Sequence, residues 1–296
     1  MRFFKKQAIK ALKAKGFYQI QDLPPLDFRG FELHPVRLAG VLEGQEFLVD
    51  IPTDRLRAFD FIGFGLEHGG RHPFVMLAEE NLAGKVEGFV GSSLETYYTS
   101  VQPQSFTDVL FDREGLTLAG DTFSGLTSLE ASFPWLRNDP QRVRRSRLRE
   151  MEKEARQHGK RGQEYLFWPF AGPVSLERGE LEFQRLKSFL DSVAEHGYHP
   201  NAHEGHVGGY LLTSGDDFAV VVSGGQHRVA CLSALGYKRI PVVIKNAQNV
   251  NRDDVAQWRG VSTGFFSREQ ALNIFDRLLE GRLPYYFDKA RPLKEN

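Results

Sequence analysis

The chain has 296 residues, 41% of them apolar and 26% charged, and its 38 basic side chains balance 38 acidic ones. That balance argues against a protein whose main work is non-specific nucleic-acid binding. One cysteine excludes an internal disulfide and a cysteine-based zinc site and suits a reducing compartment, with the cytoplasm the expected location.

Residues 2–15 read as a short amphipathic helix, with Phe4, Ala8, Ile9 and Leu12 at near-helical spacing and Gly16 as a stop. Its lysines would allow peripheral contact with an anionic membrane, although packing on its own domain is the plainer reading. No apolar run is long enough to span a bilayer. Val36–Leu42 and Glu46–Ile51 flank Glu43-Gly44 and predict a β-hairpin. Residues 59–91 are rich in Gly and Phe, and His68 and His72 read as loop residues. Tyr97 and Tyr98 suit a polar-ligand site, or an interior where their hydroxyls are bonded.

The stretch 138–163 changes character. Five arginines between Arg142 and Arg149 precede Glu150, Glu152 and Glu154, which predicts an exposed charged helix. It reads as a connector between a domain 1–137, of no evident role, and a domain 164–296. In the second part, Tyr165–Phe170 suits an edge strand and Glu180–His196 a helix ended by Gly197. Tyr210–Thr213 and Phe218–Val222 suit a hairpin across Ser214–Asp217. Two short helices are expected over Asn251–Trp258 and Ser267–Glu280, the second opened by a Ser267/Gln270 capping box.

The most specific run is Phe218–Ile244, which reads as strand, glycine turn, helix and strand. Val220, Val221 and Val222 are β-branched and apolar, which suits a central strand. Gly224 and Gly225 permit a backbone closed to other residues. The following helix, Gln226–Leu235, is apolar on nearly every side and must pack inside the domain, so the free N–H groups of its N-terminus have few protein partners. An anion is the favoured partner, with His227 and Arg228 able to add charge-assisted bonds. A helix terminus contributes about 0.3–1 kcal/mol, up to about 2 when partly buried. Micromolar affinity needs about 8 kcal/mol. The turn is therefore only part of a site. The plainer alternative is a tight turn whose His227 and Arg228 make only local bonds.

Ser223-Gly-Gly-Gln-His-Arg228, the small-residue helix, Leu235-Gly236 and Ile240–Ile244 resemble the ParB/sulfiredoxin superfamily, over roughly Gly172–Lys245. The resemblance implies an α+β nucleotide-binding domain in which Ser223, Gly224, Gly225, Gln226, His227 and Arg228 hold the phosphates of ATP or another nucleotide, with Mg²⁺. Sulfiredoxins carry a catalytic cysteine where this chain has Gln226, which removes the redox branch. The free-serine-kinase-like members use a carboxylate to activate a hydroxyl, and Glu182 or Glu180 is the expected catalytic group here, with His227. Glu177 is a further acidic candidate nearby, and each glutamate also reads as an ordinary helix-N-terminal carboxylate. His203, Glu204 and His206 lie in a polar stretch suited to substrate contact or, with lower specificity, to a metal. The whole chain also resembles bacterial proteins of surface-polysaccharide loci, which implies no particular reaction.

The expectation is thus an ATP-dependent phosphotransferase acting on a small hydroxyl-bearing metabolite such as a sugar or amino-acid derivative. The alternative is a nucleotide-binding switch, a DNA-associated ParB-like protein or a nuclease, without phosphotransfer. Nucleic acid is not the expected partner, because no recognition helix is evident after Lys245.

Overall fold

A computed structural model describes residues 24–136, 139–157, 170–200 and 205–290. The predicted helix 2–15, residues 165–169 of the predicted edge strand, and His203 and Glu204 lie outside the described residues. The chain is mixed helix and sheet, as an α+β reading requires.

Seven strands form one sheet: β1 (Leu26–Asp27), β2 (Phe47–Pro52), β3 (Leu56–Arg57), β4 (Val207–Ser214), β5 (Asp217–Gly224), β6 (Arg239–Ile244) and β7 (Val250–Asn251). The order is β1-β2-β6-β4-β5-β3, with β7 beside β4. The β4–β5 hairpin turns at Gly215, whose φ is +58°, with Ser214 opposite Asp217. β6 returns parallel to β4, and β2 pairs antiparallel along the whole of β6, from Phe47–Ile244 to Pro52–Arg239. β3 lies parallel to β5 on its other side.

This topology corrects two expectations. Strands from residues 1–137 flank the sheet built by residues 164–296, and one buried apolar cluster runs through both. The charged segment therefore does not divide two cores. It is a helix, Pro140–Gln157, that packs on the 3-10 turn Ser128–Glu130. There Arg144 Nη1 reaches Glu130 at 3.1 Å, and Arg147 donates to the Ser128 and Ala131 carbonyls. The second correction concerns the hairpin over 36–51. Only its second half is a strand. Pro35–Val41 is a helix, α1, with Pro35 in its first turn, and Val36, Leu38 and Ala39 pack on the core. Proline presets the helical φ, and β2 finds its partner in β6, nearly two hundred residues away, instead of in its neighbour.

The helices that matter for the site are α2 (Pro73–Leu82), α3 (Ser93–Ser100), α4 (Phe106–Leu110), α5 (Arg113–Ala119), α6 (Pro140–Gln157), α7 (Leu176–His196), α8 (Gln226–Ala234), α9 (Arg259–Ser262) and α10 (Arg268–Glu280). α7 begins earlier than expected because Ser175 accepts the Arg178 N–H as its N-cap. Tyr97 and Tyr98 are interior residues of α3, and the Tyr97 hydroxyl donates to the Phe170 carbonyl at 2.6 Å. α10 has the expected Ser267/Gln270 capping box and ends at Gly281, whose φ is +76°.

Two buried arginines lock α10 to the N-terminal strands. Arg277 donates to the carbonyls of Phe61, Ile62, Leu110 and Arg282. Arg57 donates to those of Leu278, Leu279, Asp54 and Leu56. A buried guanidinium is tolerated when its donors are met this fully.

Candidate functional site

β5 ends at Gly224, and α8 starts one residue later. Gly225 is the N-cap, left-handed at φ +85° and ψ +37°, and no side chain caps the helix. A Cβ at Gly225 would lie 2.9 Å from Arg228 Nε, because the Arg228 guanidinium folds back across this glycine. Arg228 Nη1 also donates to the Gly205 carbonyl at 2.5 Å. Gln226 is fixed by the fold: its Nε2 donates to the Val222 carbonyl at 3.0 Å and its Oε1 accepts the Phe59 N–H at 3.3 Å. Its side chain is thus committed to structure, and what it offers a ligand is its backbone N–H.

His227 points back toward α7. Its Nε2 lies 2.8 Å from Glu182 Oε2, and its ring stacks on Phe74 at 4.5 Å and 17°. Glu182 is fully buried, and its other oxygen meets Arg185 Nη1 at 3.1 Å and Arg178 Nε at 3.6 Å. Burial pushes the Glu182 carboxyl up, but the bond from His227 and the charges of His227, Arg185 and Arg178 outweigh it and hold it below its ordinary value. An ionised carboxylate only accepts, so His227 Nε2 carries the proton. Nδ1 is bonded to nothing among the described residues, and the ring is partly exposed.

Behind this pair lies His72, the N-cap of α2, whose Nδ1 accepts the Phe74 N–H at 3.1 Å. It lies in the loop before α2, as its sequence context suggested, but the loop is buried there. It is fully buried, and burial, helped by the neighbouring His227, pushes its pKa down to about 3. His72 is therefore a neutral buttress under Phe74 and His227.

The two candidate glutamates separate. Residues 180 and 182 are two apart on a helix and face different ways. Glu180 accepts the Phe89 N–H at 3.0 Å and a bond from Gln184, so it serves the loop before α3. Glu182 alone converges on the turn, and it does so through His227. Glu177, at the first turn of α7, is exposed. His206 stands just before β4, beside Gly205, where burial and then the Arg29 charge lower its pKa, with Arg228 contributing.

Lys245, which the sequence did not single out, completes the turn. Its Nζ donates to Ser223 Oγ at 3.0 Å, at the end of β5, because β6 delivers it alongside Gly209. The mouth of α8 is thus flanked by Lys245 and Arg228, with His227 inside the first turn. The helix terminus adds up to about 2 kcal/mol and each charge-assisted bond about 1.5–3. Backbone plus two cations reaches roughly 5–8 kcal/mol, close to what micromolar binding of an anion needs.

A protein-held Mg²⁺ fits less well. Among the described residues no three His, Cys, Asp or Glu side chains converge, and Glu182 is committed to His227 and the arginines. No helix of the described residues is long and apolar enough to cross a membrane. Cys231 is buried in α8 and near the Leu186 carbonyl, far from any redox role. Comparisons with protein-family models, with curated proteins and with solved structures found no match.

Proposed function

We propose that the Gly224–Arg228 turn binds the phosphates of ATP or another nucleotide, and that the protein is a phosphotransferase acting on a small hydroxyl-bearing metabolite such as a sugar or amino-acid derivative. The observation that carries this reading is the buried Glu182 holding His227 at the mouth of an uncapped helix between Arg228 and Lys245. A general base fixed beside an anion cradle is what hydroxyl activation next to a phosphoryl group needs. The order helix, hairpin, glycine turn, helix and parallel strand also agrees with the ParB/sulfiredoxin-like resemblance of Gly172–Lys245.

In this reading Glu182 orients and His227 acts. The acceptor hydroxyl gives its proton to His227 Nδ1 as its oxygen bonds to the terminal phosphorus. The bond from that phosphorus to the bridging oxygen breaks, and the released charge stays on the diphosphate product. Gln226, His227 and Arg228 N–H groups, with the Arg228 and Lys245 cations, stabilise the charge on the transferred group. Ser223 positions Lys245. Mg²⁺ would supply charge neutralisation on the phosphates. His206 and the adjoining His203 and Glu204 are proposed to contact the acceptor. ATP as donor and a lone buried cysteine point to the cytoplasm as the location.

Thermal unfolding with a nucleotide panel tests the first half. A ligand at about 100 times its dissociation constant adds about 2.7 kcal/mol of stability. R228A and K245A should each reduce the shift. Mass spectrometry of a metabolite pool incubated with ATP and Mg²⁺ tests the second half. His227→Asn should keep the nucleotide shift and lose turnover. Absence of a shift with every nucleotide at millimolar concentration refutes the reading, whereas a shift without any phosphorylated product favours a nucleotide-binding switch.

A further inference from the structure

A separate cavity of ≈ 650 Å³ is lined by residues that share nothing with the turn. Its wall is a continuous aromatic surface. Phe61 and Phe133 have ring centroids 4.6 Å apart, Phe133 and Trp135 stack at 4.5 Å and 13°, and Trp135 meets Trp258 edge-on at 5.4 Å. Tyr210, from β4, adds a fifth ring.

One carboxylate, Asp60, stands among these rings. It makes no hydrogen bond and no ion pair among the described residues. The charge that acts on it is Arg147, whose guanidinium lies over the Phe61 ring at 4.7 Å and donates to the Ser128 and Ala131 carbonyls. Desolvation pushes the Asp60 carboxyl up to about 6, against the opposing charge of Arg147. At the rim, Asp254 and Arg259 are exposed and of opposite charge, which leaves Asp60 as the carboxylate placed among the rings.

The backbone holds Asp60 there at a cost. Phe59 and Asp60 have φ of +59° and +42°, a left-handed pair that costs roughly 1–2 kcal/mol for each residue. Two features over-determine this turn. Arg277 grips the Phe61 and Ile62 carbonyls from below, and Gln226 accepts the Phe59 N–H. Strain maintained this way at an unpartnered carboxylate is what a ligand contact would explain.

The geometry points to a binding site for a small organic ammonium ion, held by Asp60 and by the faces of Phe61, Phe133, Trp135, Tyr210 and Trp258. Rings supply a negative quadrupole to a cation, and the carboxylate supplies a formal charge in a desolvated setting. A neutral sugar would use the rings and could bond the carboxylate through its hydroxyls, but only a cation adds charge–charge attraction and attraction to the ring faces together.

Tetramethylammonium chloride is the probe, followed by the fluorescence of Trp135 and Trp258 on the intact chain, with sodium chloride at matched ionic strength and glucose as the neutral control. Wild-type protein should show a saturable change with tetramethylammonium only. Asp60→Asn should weaken it at least tenfold, which corresponds to about 1.4 kcal/mol. Asparagine tolerates the left-handed conformation, so this variant keeps the turn. Phe133→Leu should weaken binding as well, while circular dichroism reports an unchanged fold. No saturable response, equal binding by Asp60→Asn, or a response to glucose in place of tetramethylammonium would each overturn the assignment.

Discussion

Replacing Glu182 with Gln tests the centre of the site. The carboxylate is fully buried and ties together His227 at 2.8 Å, Arg185 at 3.1 Å and Arg178 at 3.6 Å. Arg178 is itself 2% exposed, so the change removes a formal charge from beside a buried cation. Removing one partner of such a pair costs about 3–5 kcal/mol, and the amide keeps the shape and one acceptor, which places Glu182→Gln near the lower figure. The pH dependence has a definite sign. The folded protein holds the Glu182 carboxyl below its ordinary 4.5, so folding favours the ionised form. Its contribution is complete above about pH 4.5 and is lost as pH falls through the folded value. Urea unfolding followed by tryptophan fluorescence should therefore show a gap of about 3 kcal/mol between wild type and variant at pH 7, narrowing as pH falls below about 4.5. Glu180→Gln, at a side chain that meets only the Phe89 N–H and the exposed Gln184 amide, should cost about 1 kcal/mol at most. A Glu182→Gln variant as stable as wild type at pH 7, or a gap that widens in acid, would refute the argument.

Gly225→Ala should destabilise by about 1–2 kcal/mol from its left-handed backbone alone, and the displaced Arg228 should abolish any nucleotide-induced shift; thermal unfolding with and without ATP measures both. His72 should not titrate by NMR above about pH 4, since its pKa lies near 3. Its folded value is depressed, so the unfolded chain takes up the proton first. Wild-type stability should then fall as pH drops below 6.5, by up to about 1.4 kcal/mol per pH unit from this group. Burial also pushes the Cys231 thiol far up. An aromatic disulfide reagent should leave it unmodified in the native protein and react with one thiol per chain in urea; rapid native labelling would show that α8 is not packed as described.

Much of the site's local chemistry was legible along the chain. Valines 220–222 announce a buried strand, the glycine pair a turn, and Gln226–Ala234 a helix packed on most sides, because each depends on neighbours in sequence. The α7 helix and the α10 capping box are legible for the same reason. Partnerships across long separations were not. Nothing in spacing shows that Glu182 rather than Glu180 meets residue 227, since both lie on a good helix and only the packing of α7 on α8 turns one inward. Phe74 under His227 and Lys245 at Ser223 come from separate elements. Asp60 drew no attention in a Gly- and Phe-rich stretch, although its rings come from three distant segments.

The sequence by itself determined a glycine turn between a valine-rich strand and an apolar helix, and a lone cysteine inside that helix, because both rest on residue types within a few positions. Only the tertiary structure decided that the N-terminal strands belong to the same sheet, that Glu182 rather than Glu180 meets His227, and that five rings line one cavity with Asp60. Hydrogen-bond registers such as Phe47 with Ile244 close loops of nearly two hundred residues. The free energy that selects them comes from burying both partners together, which no local pattern records.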